Sequence, residues 1–80
     1  MQARVIEVVE MHRSVLAVLQ LAAGDVAIGM IVGDAANRWR VVGISTVPAD
    51  AWQAGRRGVS LQPLSGSAAP AVGAELSEME

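Results

Sequence analysis

Short apolar runs separated by turn signals constrain the fold of this chain more than any other feature of its sequence. Glycine, proline, asparagine and aspartate interrupt the apolar segments about every 8–12 residues, a spacing typical of small barrels and sandwiches. The predicted strands are residues 3–11, 15–22, 26–32, 38–47, 59–64 and 71–76. Residues 49–58 are predicted as a loop with at most one helical turn. The pattern therefore indicates an all-β domain.

The N-terminal segment allows a second interpretation. Apolar side chains and one histidine recur here at helical spacing, at Val5, Val8, Val9, His12, Leu16 and Leu19. That spacing is typical of one long amphipathic helix. The high content of β-branched residues and the polar break at residues 12–14 instead favour two strands joined by a turn. The residue pattern alone leaves both interpretations open.

Length and composition set the size and the core. Eighty residues make one small domain, predicted as a barrel over residues 1–76 with an acidic tail over residues 77–80. Hydrophobic residues make up 52% of the chain, and Phe and Tyr are absent, so the core must be aliphatic with at least one of Trp39 and Trp52 partly buried. The absence of cysteine excludes a disulfide framework and thiolate chemistry. Apolar stretches shorter than about 20 residues predict no membrane span, and a cytoplasmic protein is expected.

The segment GDVAIGMIVGD, residues 24–34, raises the question of a phosphate-binding loop. Gly24 and Gly29 have the separation of a Walker motif, but Met30 and Ile31 stand where lysine and a hydroxyl residue are required. We therefore expect no bound nucleotide. The glycines are predicted to shape a strand instead, with Gly24 and Gly33 at its two ends and Gly29 at a bulge inside it.

The sequence offers no arrangement typical of catalysis or metal binding. His12 is the only histidine, and Ser14, two residues later, does not form a convincing nucleophile–base pair with it. Asp25, Asp34 and Asp50 all follow turn signals, where aspartate bonds to nearby backbone groups. We expect no catalytic residue, no metal and no cofactor.

Arginine and tryptophan form the one constellation with a possible binding role. All basic residues are arginines, and several lie near the two tryptophans. The candidate partner-binding residues are Arg13, Arg38, Trp39, Arg40, Trp52, Arg56 and Arg57. Such a set could contact phosphates and stack a base. In the alternative interpretation the tryptophans fill the core and the arginines are solvated.

A series of short motifs runs along nearly the whole chain. The motifs are Arg13–Ala17, Gly24–Val32, Val41–Ile44, Ala54–Gly55, Val59–Gly66 and Gly73–Leu76. In this order they resemble the β-barrel second domain of elongation factor Tu and related translational GTPases. The resemblance implies an all-β, small closed six- to seven-stranded, mostly antiparallel β-barrel of the translation-protein type. It also implies two strands, not a helix, at the N-terminus.

Several features depart from that family. His12-Arg13-Ser14 replaces its Gly-Arg-Gly, the loop around residues 56–58 is a residue longer, and Glu7 is all that remains of an acidic pair. The GTPase domain is not among these 80 residues, so the resemblance does not imply GTP hydrolysis or carriage of aminoacyl-tRNA.

The functional hypothesis is a non-catalytic binding module. The family's barrels dock against RNA, the ribosome or a neighbouring domain, which implies contact with RNA or a ribonucleoprotein through the arginine and tryptophan side chains. A net charge of −2 and an apolar composition equally favour a protein–protein adaptor or a self-associating barrel with no nucleic-acid role. No membrane is expected as a partner, and a homo-oligomer is allowed.

Overall fold

The computed structural model describes residues 1–79 and contains six antiparallel strands that close into a barrel. The elements are β1 (Gln2–Glu10), β2 (Val15–Ala23), β3 (Ile31–Gly33), β4 (Arg38–Ser45), α1 (Ala49–Gln53), β5 (Arg56–Ser65) and β6 (Glu75–Met79). Neighbouring strands follow the order β1-β2-β5-β4-β3-β6, and β6 pairs with β1 to close the ring. The predictions of an all-β closed barrel and of two strands at the N-terminus are confirmed.

Alternation along the strands builds the core. Val5 pairs with Leu19 across β1 and β2, and Leu61 pairs with both Val15 and Val41 in the adjoining strands. Directly opposite residues share a face of the sheet, so these pairs stack inside the barrel, where all five are at most 4% exposed. Trp39 joins them at 1% exposure, which confirms the prediction of a buried tryptophan.

The stretch from residue 24 to residue 34 differs from its prediction. The strand is confined to Ile31–Gly33, and Gly29 lies before it in a turn where the Met30 amide donates to the Ala27 carbonyl. Gly29 has φ = +92°, a left-handed conformation that suits a turn. The predicted bulge at Gly29 is therefore wrong. Register shifts instead occur in β1, at Gln2/Ala3 and Val5/Glu7, and in β4, at Arg38/Trp39 and Val41/Gly43.

The last strand begins later than predicted. Ala74 donates to the Ala71 carbonyl in a turn, so β6 runs from Glu75 to Met79 and not over residues 71–76. Ser77 pairs with both Gln2 and Gly33, which makes it part of the barrel wall. The predicted acidic tail is thus a strand up to Met79, because β6 must extend far enough to bridge β1 and β3. Residue 80 lies outside the described residues.

The segment between β4 and β5, predicted as a loop that allowed one helical turn, contains the short helix α1. Pro48 precedes α1, and the Trp52 amide donates to the Pro48 carbonyl at 2.9 Å. β5 begins at Arg56, three residues before the predicted start. Pro63 lies within β5 beyond Leu61, the last residue paired with β2, so only β4 pairs with it. Proline has no amide N–H to donate, but no β2 residue pairs with it there, so the β2–β5 ladder is not interrupted.

Candidate binding surface

The predicted arginine and tryptophan set is divided between two ends of the β4–β5 ladder. Arg40 pairs with Gln62 of β5, whereas Arg56 lies six residues earlier on that strand. At the rise of an extended strand this separates the two positions by about 20 Å. Arg38 lies farther still, opposite Ser65, and Arg13 lies in the turn between β1 and β2. The structure does not bring these side chains into one patch.

Two members of the set have structural roles at the β3–β4 turn. Trp39 is buried, and its indole Nε1 donates to the Ala68 carbonyl at 3.1 Å, so its ring is closed to a base. The Arg38 guanidinium donates to the backbone carbonyls of Asp34 and Asn37. A hydrogen bond from the Ala36 amide, foremost among several donors, holds the pKa of Asp34 below its usual range. The role predicted for Asp34, a residue that bonds its own turn, is confirmed.

Arg57 and Trp52 belong to a second structural cluster, at the opposite end of the ladder. Arg57 is 7% exposed and makes a bidentate pair with Asp25, with Nε 3.0 Å from Oδ1 and Nη2 3.3 Å from Oδ2. Its Nη1 donates to the carbonyls of Trp52 and Arg56 at 2.9 and 2.8 Å. Its guanidinium carbon lies 3.4 Å from the centre of the Trp52 ring. Arg57 is therefore fully engaged in fastening α1 and the segment before β3 to β5, and it has no free face for a phosphate.

This cluster also sets the ionisation of Asp25. The hydrogen bond from Arg57 is the main cause that lowers the pKa of the Asp25 carboxyl, and the Val26 amide, which donates to Oδ1 at 2.7 Å, adds to it. Partial burial acts in the opposite direction and is outweighed. Asp25 therefore keeps its charge to a lower pH than an ordinary aspartate does, and the ion pair that holds Arg57 is kept with it.

Three of the predicted arginines remain available to a partner, in addition to the 46% exposed Trp52. Arg13, Arg40 and Arg56 are exposed. Ion pairs within residues 1–79 form at Met1–Glu78, Arg4–Glu75 and Arg57–Asp25, and none includes these three arginines. They lie far apart, so they act as separate charges and not as one basic patch.

An apolar surface covers the outer side of β2, where a small barrel is usually polar. Val9 of β1 and Ser60 of β5 both pair with Leu16, and Glu7 and Gly58 both pair with Val18. Val47 packs over Gly58, with its Cγ1 3.6 Å from the place where a Cβ on that glycine would lie. We define the β2 face as Val9, Leu16, Val18, Gly43, Ser45, Val47, Gly58 and Ser60.

A groove of about 220 Å³ lies on the β2 face, and the charged Glu7 lines it together with the apolar Val9, Val18 and Val47. Val9 is 50% exposed, and Leu16 and Val18 are half-buried on this outer surface. A second hollow of about 400 Å³ adjoins it and is lined by Ile44, Val47 and Trp52. Ile44 and Trp52 are 39% and 46% exposed, so the apolar surface continues from the strands onto α1.

Polar residues bound this surface on both sides. Beyond the β2 face, on the side nearer β6, the next outward-facing residues are Arg4 of β1, Gln20 of β2 and Arg56 of β5, which pair with one another in that order. The row on the other side contains Gln62 and Arg40. A compact apolar area with a polar rim is the anatomy of a protein interface, and such areas on a monomer mark interaction sites.

Sequence reasoning missed the β2 face because four strands contribute to it. One signal was available in the run Val15-Leu16-Ala17-Val18-Leu19. A strand with one solvated face alternates apolar and polar residues, whereas this run is apolar on both faces. That absence of alternation is typical of a strand that is covered on its outer side as well as its inner side.

The other grooves and turns of the described residues carry less that points to a binding or catalytic role. A groove of about 410 Å³ crosses β1, β2 and β6, and its Arg4 and Glu75 side chains approach to 3.4 Å while both stay mostly exposed. His12 and Ser14 lie in the β1–β2 turn, where the Met11 amide donates to the Ser14 carbonyl. In residues 1–79 no three His, Asp or Glu side chains are grouped to hold a metal ion. Across the same residues no helix has the length and apolar character needed to cross a membrane.

Comparison with known proteins adds no relative from which a role could be carried over. The chain matches no protein-family model, and no curated protein or solved structure matches it.

Proposed function

We propose that this barrel is a non-catalytic binding module that docks against a protein through the β2 face. The observation that carries the proposal is the apolar outer side of β2, with Leu16 and Val18 half-buried and Val9 half exposed beside them. Leaving apolar surface in water costs about 25 cal/mol per Å², and a partner that covers it recovers that free energy. A rim of polar side chains then excludes water and orients the partner.

A protein partner fits this surface better than RNA does. Binding of RNA requires cations near one another and aromatic rings open to bases. Trp39 is in the core, Arg57 is engaged by Asp25, and Arg40 and Arg56 lie on opposite rims of the β2 face. The resemblance to the barrels of translational GTPases supports docking as the general role and does not select the partner.

Affinity capture from an extract of the cells that make the protein tests this proposal. Val9→Glu places a charge in the β2 face, and Val72→Glu is its matched control, since Val72 is a 66% exposed valine in the loop before β6. We expect proteins retained by the wild type and by Val72→Glu to be lost with Val9→Glu. Both substitutions are at exposed positions, so circular dichroism should show an intact barrel in each.

Two results would contradict the proposal. Equal retention by Val9→Glu and the wild type would mean that the β2 face is not the docking surface. Retention that disappears after ribonuclease treatment, and also in an Arg13→Glu/Arg40→Glu variant, would indicate RNA as the partner. RNA binding would further weaken steeply with salt, because phosphate contacts release counterions.

A further inference from the structure

We infer that the protein that docks on the β2 face inserts a basic side chain, arginine or lysine, into the groove of that face, with its charged head at Glu7. The alkyl stem of the inserted side chain lies on the apolar lining of the groove. This inference rests on the proposed function and names the chemistry by which the partner is recognised. It follows from the position of Glu7, from the unbalanced charge of its carboxylate and from the residues around it.

A register shift in β1 turns Glu7 toward the groove. Val5 pairs with Leu19 and Glu7 pairs with Val18, so two residues of β1 advance against one of β2. Val5 is fully buried inside the barrel, and in a regular strand the residue two positions later would point the same way. The shift instead sets Glu7 outward beside Val18. Bulges of this kind re-aim a side chain and are common next to functional sites.

The charge of Glu7 has no counterpart in the fold. Among the described residues that line the groove of about 220 Å³, Glu7 alone carries a charge. It is exposed, and within residues 1–79 its carboxylate takes part in no ion pair. A partner that covers the groove removes water from this carboxylate, and burial of a carboxylate without a counter-charge is strongly unfavourable. The partner must therefore bring a cation to this position.

The lining of the groove suits a cation with a long alkyl stem. Val9 is 50% exposed, and Val18 and Val47, which line the same groove, are half-buried. Lysine and arginine bury their alkyl stems on apolar surface of this kind while the charged head reaches a polar group. A metal ion fits poorly, since no three His, Asp or Glu side chains of residues 1–79 are grouped to hold one. A basic side chain satisfies both the carboxylate and the valines.

The nearest arginines do not cancel the field of Glu7. Arg56 lies across β2 from Glu7 and one outward row farther along, because it pairs with Gln20. Two strand spacings and the rise of two residues separate the Cα atoms of Arg56 and Glu7 by about 12 Å, beyond the Debye length of about 8–10 Å. Arg4 lies in the same row, and its guanidinium is 3.4 Å from the Glu75 carboxylate. The groove therefore attracts a cation through Glu7.

Titration with short peptides, followed by NMR of the folded protein, tests this recognition. The probes are acetyl-Leu-Arg-Leu-amide and its citrulline counterpart, which has nearly the same shape and no charge. The arginine peptide should shift the amide signals of Val9, Val18 and Val47, with a dissociation constant of about 1–10 mM. The citrulline peptide should bind about threefold to fivefold more weakly. In 1 M NaCl this difference should vanish, because the Debye length falls to about 3 Å.

Two matched variants assign the preference to one carboxylate. Glu7→Gln keeps the shape of the side chain and should bind the two peptides equally. Glu10→Gln is the control on the same strand, since Glu10 pairs with the buried Val15 and so shares the inward face of the sheet. It should keep the wild-type preference for arginine. Both positions are exposed, and the amide spectrum of each variant checks that the barrel is folded.

Three results would overturn the inference. They are equal binding of the two peptides by the wild type, an arginine preference that survives Glu7→Gln, and no shift in the groove with either peptide at 20 mM, well above the dissociation constant expected for the contact. The docking role is decided separately by capture with Val9→Glu. If that variant loses the captured protein while the wild type binds both peptides equally, docking stands and the basic side chain does not. If capture is unchanged and no peptide shifts the groove, both fail.

Discussion

At the scale of single residues, Arg57 shows how the surroundings of a side chain decide its role. Two adjacent arginines begin β5, but Arg56 points to solvent and Arg57 points toward the barrel interior, opposite the buried Leu19. A buried guanidinium must have its charge balanced and its donors satisfied. Asp25, the Trp52 and Arg56 carbonyls and the Trp52 ring together meet that demand. Arg57, predicted from the sequence to contact a partner, therefore holds parts of the fold together.

The Asp25–Arg57 pair predicts a specific dependence of stability on pH. Because the pKa of Asp25 is lowered by folding, ionised Asp25 stabilises the folded state above its unfolded pKa, and that stabilisation is lost as the pH falls through its lower folded pKa. Thermal melts should show Asp25→Asn to be less stable than the wild type at pH 7. The difference should shrink below about pH 4 and disappear once the wild-type carboxyl is protonated.

Asp50→Asn serves as the control for this experiment, since Asp50 lies exposed on α1 and forms no ion pair within residues 1–79. Its melting temperature should follow the wild-type curve at every pH. A constant difference between wild type and Asp25→Asn from pH 7 to pH 2 would show that the carboxylate charge is not what stabilises this cluster.

At the scale of elements, the short strand β3 depends on the turn that follows it. Asp34 accepts hydrogen bonds from the Ala36 and Asn37 amides at 2.9 Å, and the Asp34 amide donates to the Asn37 carbonyl at 3.1 Å. This tight turn brings the Asn37 carbonyl against Gly33, where a Cβ would overlap the carbonyl oxygen. Glycine is required here for close approach of two backbone segments and not for its dihedral angles.

Glycine-to-alanine substitutions at two positions separate these two requirements. Gly33→Ala should destabilise the barrel by about 2 kcal/mol or more, because the turn or β3 must move to admit the methyl group. Gly29→Ala meets no atom within 4 Å and suffers only from its positive φ, which costs about 1 kcal/mol. Urea denaturation measures both values. Equal losses at the two positions would argue against backbone overlap at Gly33.

At the scale of the whole molecule, closure of the barrel joins the two ends of the chain. Ala3 of β1 pairs with Leu76 of β6, and Leu76 is 1% exposed within the same core as Val5 and Trp39. β6 also pairs with β3, so it is the strand that links both halves of the sheet. Loss of its packing therefore opens the ring and not only one edge.

Truncation of two leucines tests this closure. Leu76→Ala should cost about 2–5 kcal/mol in the free energy of unfolding, the range for a leucine deleted from a packed core. Leu64→Ala removes the same atoms from a 42% exposed position near the end of β5, and should change stability by less than about 1 kcal/mol. Similar losses for the two variants in urea denaturation would mean that β6 does not carry the core contact described here.

The sequence by itself determined the strand composition of the described residues and the presence of a tryptophan in the core. The strands follow from β-branched runs and turn residues, which act over a few neighbours along the chain. The buried tryptophan follows from the composition, because the chain offers few other aromatic residues for a core. The bounds predicted for the strand at residues 26–32 were wrong, and residues 77–79, predicted as part of a tail, belong to β6, because pairing with β4 and closure against β1 set the limits of β3 and β6.

Only the tertiary structure decided which arginines are free and where the apolar surface lies. Arg56 and Arg57 are neighbours in sequence, yet the alternation of β5 sends one outward and the other inward to Asp25. The β2 face gathers residues from β1, β2, β4, β5 and the segment after β4, and their adjacency exists only through register. Pairing between distant segments is a property of the closed sheet, and no local pattern encodes which outward residues it places side by side.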